Sequence, residues 1–364
     1  MNITIVAGAR PNFMKIAPII EAIAIKKKQG STINFRLVHT GQHYDKSLSD
    51  TFFKELNIPF PDTNLEVKSG TQAEQTAAIM IGFEKELAQN PCDLVMVVGD
   101  VTSTMACTIV AKKAGIKVAH IEAGIRSGDL NMPEEINRIV TDSLTDYFFT
   151  TSTYANNNLE RLGVSKSNIF FVGNVMIDTL LKNKKRFIKP SIWDELGLEQ
   201  KKYIVLTLHR PSNVDDAQQL KSLITQIVTL GKAYPIIFPV HPRTKKILED
   251  LDLDFENLHY IEPLGYLGFN YLVKNAFAIL TDSGGITEET TVMNVPCITL
   301  RDSTERPETC EIGTNVLVGT NPDKISDAFK ILLSGKWKQG TSPELWDGKS
   351  AERIINHLVE IHQS

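Results

Sequence analysis

One segment, Ala278-Ile279-Leu280-Thr281-Asp282-Ser283-Gly284-Gly285-Ile286-Thr287-Glu288-Glu289, holds a strand, a turn and the start of a helix. Residues 278–280 are apolar and predict a buried strand, while the two glycines predict a turn that opens a helix near Ile286. Glycines let the backbone approach a ligand closely, and the N–H groups of a helix start attract an anion. The segment predicts an anion site at this turn, with an ordinary N-cap as the alternative.

Short apolar runs alternate with longer helical patterns along the rest of the chain, for example helical residues 15–27 and 72–87. This alternation is typical of parallel sheets whose strands are joined by helices. The strands predicted in the first half are residues 3–6, 35–38, 94–98, 118–121, 147–150 and 169–172. Those in the second half are residues 203–208, 236–240, 258–261, 278–280, 297–300 and 316–318. Two such sets predict an α/β fold with two Rossmann-like domains and a central cleft.

The domain boundary is predicted where the first set of strands ends and a Lys-rich segment precedes Pro190. We expect an N-terminal domain of residues 1–175 and a C-terminal domain of residues 176–349. The last helical stretch, within residues 350–364, is a candidate to return to the N-terminal domain.

The composition and net charge disfavour several classes of protein. A formal net charge of −4 over 364 residues disfavours a general nucleic-acid-binding surface. We find no apolar run of membrane-spanning length and no signal peptide pattern, so we expect a cytoplasmic protein without a membrane partner. The four cysteines form no C-x-x-C pair. They therefore predict reduced thiols rather than a metal or redox site.

Polar residues follow nearly every predicted strand, at the edge where open α/β sheets bind ligands. They are Arg10, His39, His43, Asp100, Glu122, His209, Arg210, His241, Arg243, Asp282, Ser283 and Asp302. Caps and turns use the same residue types, and that interpretation is favoured for His39, His43 and Asp302 taken singly. The whole set, spread over both halves, favours a ligand site.

The residue types in this set point to acid–base chemistry beside an anion. Asp100 and Glu122 follow consecutive strands and, with Glu134, can divide acid and base roles. A capping or surface role is favoured for Glu135. His209 is a candidate proton donor or phosphate ligand. Arg10 and Lys15, after the first strand and in the following turn, can neutralise a pyrophosphate, although Lys15 taken alone is typical of a solvated helix residue.

Several familiar motifs are absent from the sequence. No G-x-G-x-x-G follows the first strand, which disfavours a nicotinamide cofactor. Gly41 between His39 and His43, without H-E-x-x-H, disfavours a zinc helix, and no G-x-S-x-G elbow occurs. We therefore expect neither a cofactor nor a metal.

Taken together, the motifs resemble the non-hydrolysing UDP-N-acetylglucosamine 2-epimerases, in the order of that family and over nearly the whole chain. The matching segments are Gly8–Pro11 with Lys15, His39–His43, Gly99–Asp100, His120–Arg126, Pro133–Arg138, His209–Arg210, Thr281–Gly285 and Thr304–Glu308. One departure is His209-Arg210-Pro211-Ser212-Asn213, where the family commonly has His-Arg-Arg-Glu-Asn. Some relatives bind a second substrate molecule as an activator. Gln42 and Arg210 fit that pattern and Lys68 does not, so the question stays open.

The resemblance implies a fold like that of GT-B glycosyltransferases, a homodimer, and reversible conversion of UDP-GlcNAc to UDP-ManNAc. The implied catalytic residues are Asp100, Glu122, Glu134 and His209. The implied substrate-binding residues are Arg10, Lys15, His241, Ser283, Gly284, Gly285 and Arg306, with Glu289 at the ribose and Leu264 and Phe269 at the uracil. Three rival functions remain at this point: a hydrolysing epimerase that releases ManNAc and UDP, a GT-B glycosyltransferase, and a UDP-sugar-binding regulator without turnover.

Overall fold

The computed structural model describes residues 1–41, 53–240, 242–251 and 253–363. The chain forms two compact units. The first unit comprises Met1–Lys182 and Glu344–Ser364, and the second comprises Asn183–Pro343. None of the described helices is both long enough and apolar enough to cross a membrane.

The first unit is built on a seven-stranded parallel sheet with the order β3-β2-β1-β4-β5-β6-β7. Its strands are β1 (Asn2–Ala7), β2 (Asn34–His39), β3 (Thr63–Asn64), β4 (Leu94–Val98), β5 (Lys117–Ile121), β6 (Tyr147–Thr150) and β7 (Ile169–Phe171). Its helices are α1 (Arg10–Lys28), α2 (Gln72–Gln89), α3 (Thr102–Lys113), α4 (Pro133–Leu144), α5 (Thr153–Arg161) and α6 (Val175–Asn183), whose last residue belongs to the second unit, and a 3-10 turn spans Lys166–Asn168.

The second unit repeats this plan with a six-stranded parallel sheet, in the order β10-β9-β8-β11-β12-β13. The strands are β8 (Ile204–Thr207), β9 (Ile236–Pro239), β10 (Leu258–Ile261), β11 (Ala278–Thr281), β12 (Cys297–Thr299) and β13 (Asn315–Leu317). The helices are α7 (Ile192–Glu195), α8 (Pro211–Val214), α9 (Ala217–Leu230), α10 (Pro242–Leu251), α11 (Tyr266–Asn275), α12 (Gly284–Met293), α13 (Pro307–Glu311) and α14 (Pro322–Leu333). A final helix, α15 (Ser350–Gln363), belongs to the first unit.

The α/β class and the two Rossmann-like sheets predicted from the sequence are confirmed. Helices cover both faces of a parallel sheet, so its central strands are apolar on both sides. All five residues of β4 and all four residues of β11 are buried. Helix α1 begins at Arg10, five residues before the predicted start, because Pro11 suits a first helical turn. Lys15 therefore lies within the helix, as the predicted helical stretch of residues 15–27 has it, and not in the turn after β1.

Asp178 of α6 fastens the last helix to the first unit. Its carboxylate accepts hydrogen bonds from the backbone N–H groups of Ser350, at 3.1 Å, and Ala351, at 2.7 Å. Burial raises the pKa of Asp178 to about 6, although these two hydrogen bonds oppose the rise. Asp178 thus satisfies N–H groups at the start of α15 that have no acceptor within the helix.

We expect Asp178→Ala to destabilise the protein by about 1–3 kcal/mol, because it leaves two buried N–H groups without an acceptor. Asp178→Asn retains an acceptor oxygen and should lose less. Thermal unfolding followed by circular dichroism measures the difference. Glu344→Ala, at an exposed carboxylate close to α15 in the chain, is the control. Equal melting temperatures for Asp178→Ala and this control would contradict the assignment.

Candidate active site

Each sheet reverses its strand order at one point, and the two reversal points gather most of the residues singled out in the sequence. In the first unit the reversal lies between β1 and β4, and in the second between β8 and β11. Ligands of open α/β sheets bind beyond the strands at such points. We call the loops after β1, β4 and β5 with the start of α4 the first half-site. The loops after β8 and β11 with the start of α12 form the second half-site.

Lys15 and Glu122 form a mostly buried ion pair in the first half-site. The Lys15 Nζ and Glu122 Oε2 atoms are 2.6 Å apart, and the side chains are 12% and 3% exposed. Glu122 has a φ of 70°, in the left-handed region that non-glycine residues rarely adopt. Gly99 also has a positive φ, 69°, and a Cβ there would lie 3.0 Å from Lys15 Nζ. The loops after β4 and β5 therefore meet at Lys15, and a side chain at position 99 would crowd its Nζ as well as strain the backbone.

Asp100 is held by helix α4. Arg138 Nη2 donates to Asp100 Oδ2, and Arg138 Nη1 donates to Glu135 Oε2 at 2.7 Å. The Asn137 side-chain amide donates to the Asp100 backbone oxygen at 2.8 Å. Arg138 is only 3% exposed whereas Asp100 is 31% exposed. A buried cation thus fixes a carboxylate whose face remains accessible to a ligand.

The two adjacent glutamates of α4 differ in their surroundings. Glu134 lies in the first turn, is partly exposed, and makes no hydrogen bond or ion pair with another described residue. Glu135 is 1% exposed and accepts from the backbone N–H groups of Ser127 and Gly128. Burial alone would raise the pKa of Glu135, but the Ser127 N–H and Arg138 outweigh it and lower the pKa. The surface role favoured for Glu135 is wrong, since this carboxylate organises the loop before α4.

Asn12 is an organising residue that the sequence analysis did not identify. Its Oδ1 accepts from the N–H groups of Gly8, at 2.9 Å, and Ala9, at 3.1 Å. Its Nδ2 donates to the Val98 backbone oxygen at 3.0 Å. Asn12 therefore ties the loop after β1 to the end of β4 across the reversal point. No sequence pattern singles out Asn12, because its role depends on contacts with the loop after β1 and the end of β4.

His209 and Asp282 form a pair at the centre of the second half-site. His209 Nδ1 lies 2.7 Å from Asp282 Oδ1, with Asp282 fully buried and His209 53% exposed. Asp282 also accepts from the N–H groups of His209 and Arg210 and from the Asn213 amide. Burial would raise the pKa of Asp282, yet the His209 hydrogen bond and charge outweigh it and lower the pKa. The carboxylate orients the ring, so that Nε2 is the nitrogen left for a ligand.

Helix α12 begins directly after this pair. Its N-cap Ser283 makes no side-chain cap, so the first N–H groups of the helix have no acceptor from that residue. Ser283, Gly284 and Gly285 are all partly exposed. A Cβ at Gly284 would lie 3.1 Å from Glu305 Oε1, and Glu305 Oε2 pairs with Arg301 Nη2 at 2.6 Å. The turn is suited to an anion that approaches the backbone closely.

Glu289, within α12, and Arg306, directly before α13, are buried more deeply than the turn. Glu289 accepts from the Tyr266 hydroxyl at 3.0 Å and from the Asn270 amide at 3.4 Å. Burial raises the pKa of Glu289 to about 7 against these two hydrogen bonds, and the charge of Glu288 adds to the rise. Arg306 Nε forms an ion pair with Glu288 Oε1, with both side chains less than 10% exposed.

The remaining predicted binding residues are distributed as follows. Leu264 follows β10 and Phe269 lies on α11, and both pack, partly buried, against the core of the second unit. Arg10 begins α1, but its side chain lies outside the described part of the structure, as do His241, Gln42 and His43.

The sequence profile of UDP-N-acetylglucosamine 2-epimerases matches residues 25–359. The chain belongs to this family. A relative from Methanocaldococcus jannaschii, named UDP-N-acetylglucosamine 2-epimerase, is 43% identical over 372 residues and covers 99% of both chains. A crystal structure of the M. jannaschii UDP-GlcNAc 2-epimerase in complex with UDP-GlcNAc and UDP has a TM-score of 0.90, covering 99% of this chain and 100% of that one.

Membership in the 2-epimerase family makes the chain an enzyme and confirms its α/β, GT-B-like class. The family is not uniform in substrate. A relative from Pseudomonas aeruginosa, named UDP-2,3-diacetamido-2,3-dideoxy-D-glucuronate 2-epimerase, is 36% identical over 365 residues and covers 99% of this chain and 100% of its own. Membership in the family therefore does not determine the sugar of this chain's substrate.

Proposed function

We propose that the chain interconverts UDP-GlcNAc and UDP-ManNAc without net hydrolysis, through elimination and re-addition of UDP. A base removes the C2 proton while the C1–O bond to UDP breaks, which gives a 2-acetamidoglucal. A proton then returns to the opposite face of C2, and a UDP oxygen re-forms the bond at C1. No electron acceptor or donor is needed, since the substrate's own bonds carry all the electrons.

The first half-site supports the proton transfers. Elimination and return on opposite faces need two proton-transfer groups. Asp100, Glu122 and Glu134 lie at the carboxyl edge of one sheet in three different surroundings: beside Arg138, beside Lys15, and in a helical first turn. Different surroundings allow carboxylates to divide acid and base roles. We propose that these three residues share the two transfers.

The second half-site supports departure of the diphosphate. The start of α12 offers backbone N–H groups, and His209 is oriented by Asp282 with its other nitrogen toward solvent. Both can stabilise the charge that develops on UDP as it leaves. Arg10, Lys15, His241 and Arg306 are proposed to add positive charge, with Glu289 at the ribose and Leu264 and Phe269 at the uracil.

Two observations carry the proposal: the carboxylate cluster of the first unit, and the anion-suited turn with the Asp–His pair of the second unit. The bound UDP-GlcNAc and UDP of the M. jannaschii relative support the same ligand here. A glycosyltransferase would use the second half-site without needing the three carboxylates of the first.

Product analysis by NMR tests the proposal. Purified protein incubated with UDP-GlcNAc should yield UDP-ManNAc and approach the same mixture from either sugar nucleotide. Release of free ManNAc with stoichiometric UDP would instead identify a hydrolysing enzyme. Turnover of the diacetamido-glucuronate nucleotide alone would move the assignment to the substrate of the P. aeruginosa relative.

Glu289 is expected to make the binding of UDP depend on pH. Its pKa is raised to about 7, so below that pH the ligand-free carboxyl group is protonated. Ribose hydroxyls donate to the ionised form, and binding must therefore release a proton. We expect the Kd for UDP to rise as the pH falls below about 7, by up to about tenfold per unit. Isothermal titration calorimetry at several pH values measures it.

Glu289→Gln supplies the baseline, because titration of the ligand's own phosphate is common to both proteins. The difference in slope between the two proteins is attributable to Glu289. Parallel curves would contradict the ribose assignment.

A further inference from the structure

We propose that His120 and Asp142 act as a positioning pair that locks together the three segments bearing Asp100, Glu122 and Glu134. Neither residue is proposed to touch the substrate. This inference rests on the proposed function, since it assigns a role to these residues through the carboxylates of the first half-site.

His120 reaches the segment that bears Asp100. The ring is fully buried near the end of β5, and its Nε2 lies 2.8 Å from the Gly99 backbone oxygen. A carbonyl oxygen can only accept, so Nε2 carries the proton. Gly99 has a φ of 69° and directly precedes Asp100. The imidazole therefore fixes the orientation of the Gly99 peptide group, which lies in a left-handed turn directly before Asp100.

Asp142 reaches the other two segments. Its Oδ1 lies 2.7 Å from His120 Nδ1, and its Oδ2 accepts from the Gly124 backbone N–H at 3.0 Å. Gly124 also has a positive φ, 79°, and follows Glu122 by two residues. Asp142 itself belongs to α4, the helix whose first turn holds Glu134. One side chain thus joins the loop after β5 to α4 and, through His120, to the loop after β4.

Arg126 adds a positive charge beside the carboxylate of Asp142. Arg126 Nη1 lies 2.6 Å from Asp142 Oδ2. Burial would raise the pKa of Asp142, but the charges and hydrogen bonds of His120 and Arg126 outweigh burial and lower it. With Asp142 ionised and a carbonyl oxygen at Nε2, both ring nitrogens of His120 face acceptors. The buried ring is therefore held on both sides, at Nδ1 by Asp142 and at Nε2 by the Gly99 oxygen, and such a network holds the joined segments in one arrangement.

Two substitutions separate the two contacts of the ring. The amide nitrogen of glutamine can take the position of Nε2, whereas that of asparagine can take the position of Nδ1. His120→Gln should therefore keep the hydrogen bond to Gly99, and His120→Asn should keep the one to Asp142. Both variants lose part of a buried network, so both should melt at lower temperature than the wild type.

We expect the kcat of His120→Asn to fall about 100-fold, the effect of misplacing a reacting group by about 1 Å, with KM within threefold of the wild type. His120→Gln should recover at least tenfold of that kcat at a similar melting temperature. Asp142→Asn should also lower kcat without raising KM. His362→Asn, at an exposed histidine in the last turn of α15, is the control and should match the wild type.

A merely structural role predicts a different pattern, in which activity follows melting temperature and glutamine gives no recovery over asparagine. That pattern would overturn the proposal, as would an Asp142→Asn variant with wild-type kcat. If His120→Asn does not fold, the comparison passes to Asp142→Asn against the control. Failure of the proposed function itself is distinguishable, because the wild-type protein would then not epimerise UDP-GlcNAc at all.

Discussion

Glu122→Gln is expected to lower kcat for epimerisation about 100- to 10,000-fold, the range that a positioned acid or base contributes. The substitution keeps the side-chain volume and removes only the charge that pairs with Lys15 at 2.6 Å. The Kd for UDP should not rise, because the substitution keeps Lys15, a proposed phosphate ligand, and leaves the second half-site unchanged. Initial rates measured by NMR and binding measured by calorimetry on the same preparation give both quantities.

A matched control for this variant is Glu84→Gln, which removes an exposed carboxylate from α2. It should leave both kcat and Kd at wild-type values. A Glu122→Gln enzyme that retained more than a tenth of wild-type kcat would remove Glu122 from the proposed proton transfers.

Asp282→Asn is expected to lower kcat by a similar factor, because it disturbs the orientation of His209. The buried carboxylate accepts from His209 Nδ1 and from two backbone N–H groups, and it fixes which ring nitrogen carries the proton. An amide in its place presents a donor where an acceptor is needed, so the ring can take the other tautomer or turn away. We expect kcat to fall about 100-fold or more.

His209→Asn tests the same pair from the other side and should lower kcat by a comparable factor. The double variant should be little worse than either single one, since residues that act as a unit are not additive. Effects that multiply in the double variant would contradict the pairing. Melting curves of all three variants show whether a loss of fold contributes.

The fold class could be predicted from the sequence because the strands of both sheets are parallel. Buried on both faces, they appear as uninterrupted apolar runs, of which the five residues of β4 are an example. The two residues of β3, Thr63 and Asn64, carry no such pattern and were not predicted. Their pairing with β2 comes from the sheet edge rather than from their own composition.

Within the site, the sequence identified single residues better than it identified their partners. His209 and Asp282 are 73 residues apart in the chain, and only the adjacency of β8 and β11 brings them together. Glu135 was interpreted as a surface or capping carboxylate, because its burial depends on a long-range fold and on N–H groups supplied by Ser127 and Gly128. Local sequence patterns predict which face of a helix or strand is buried, whereas hydrogen-bond partners depend on tertiary contacts.

The most direct test of the elimination mechanism is incubation of the wild-type enzyme with UDP-GlcNAc in deuterated water, followed by NMR of the C2 position. Removal and return of the C2 proton predicts deuterium at C2 of UDP-ManNAc, and also of recovered UDP-GlcNAc as the mixture approaches equilibrium. UDP-ManNAc that formed with its C2 hydrogen wholly retained from the substrate would contradict proton exchange at that carbon.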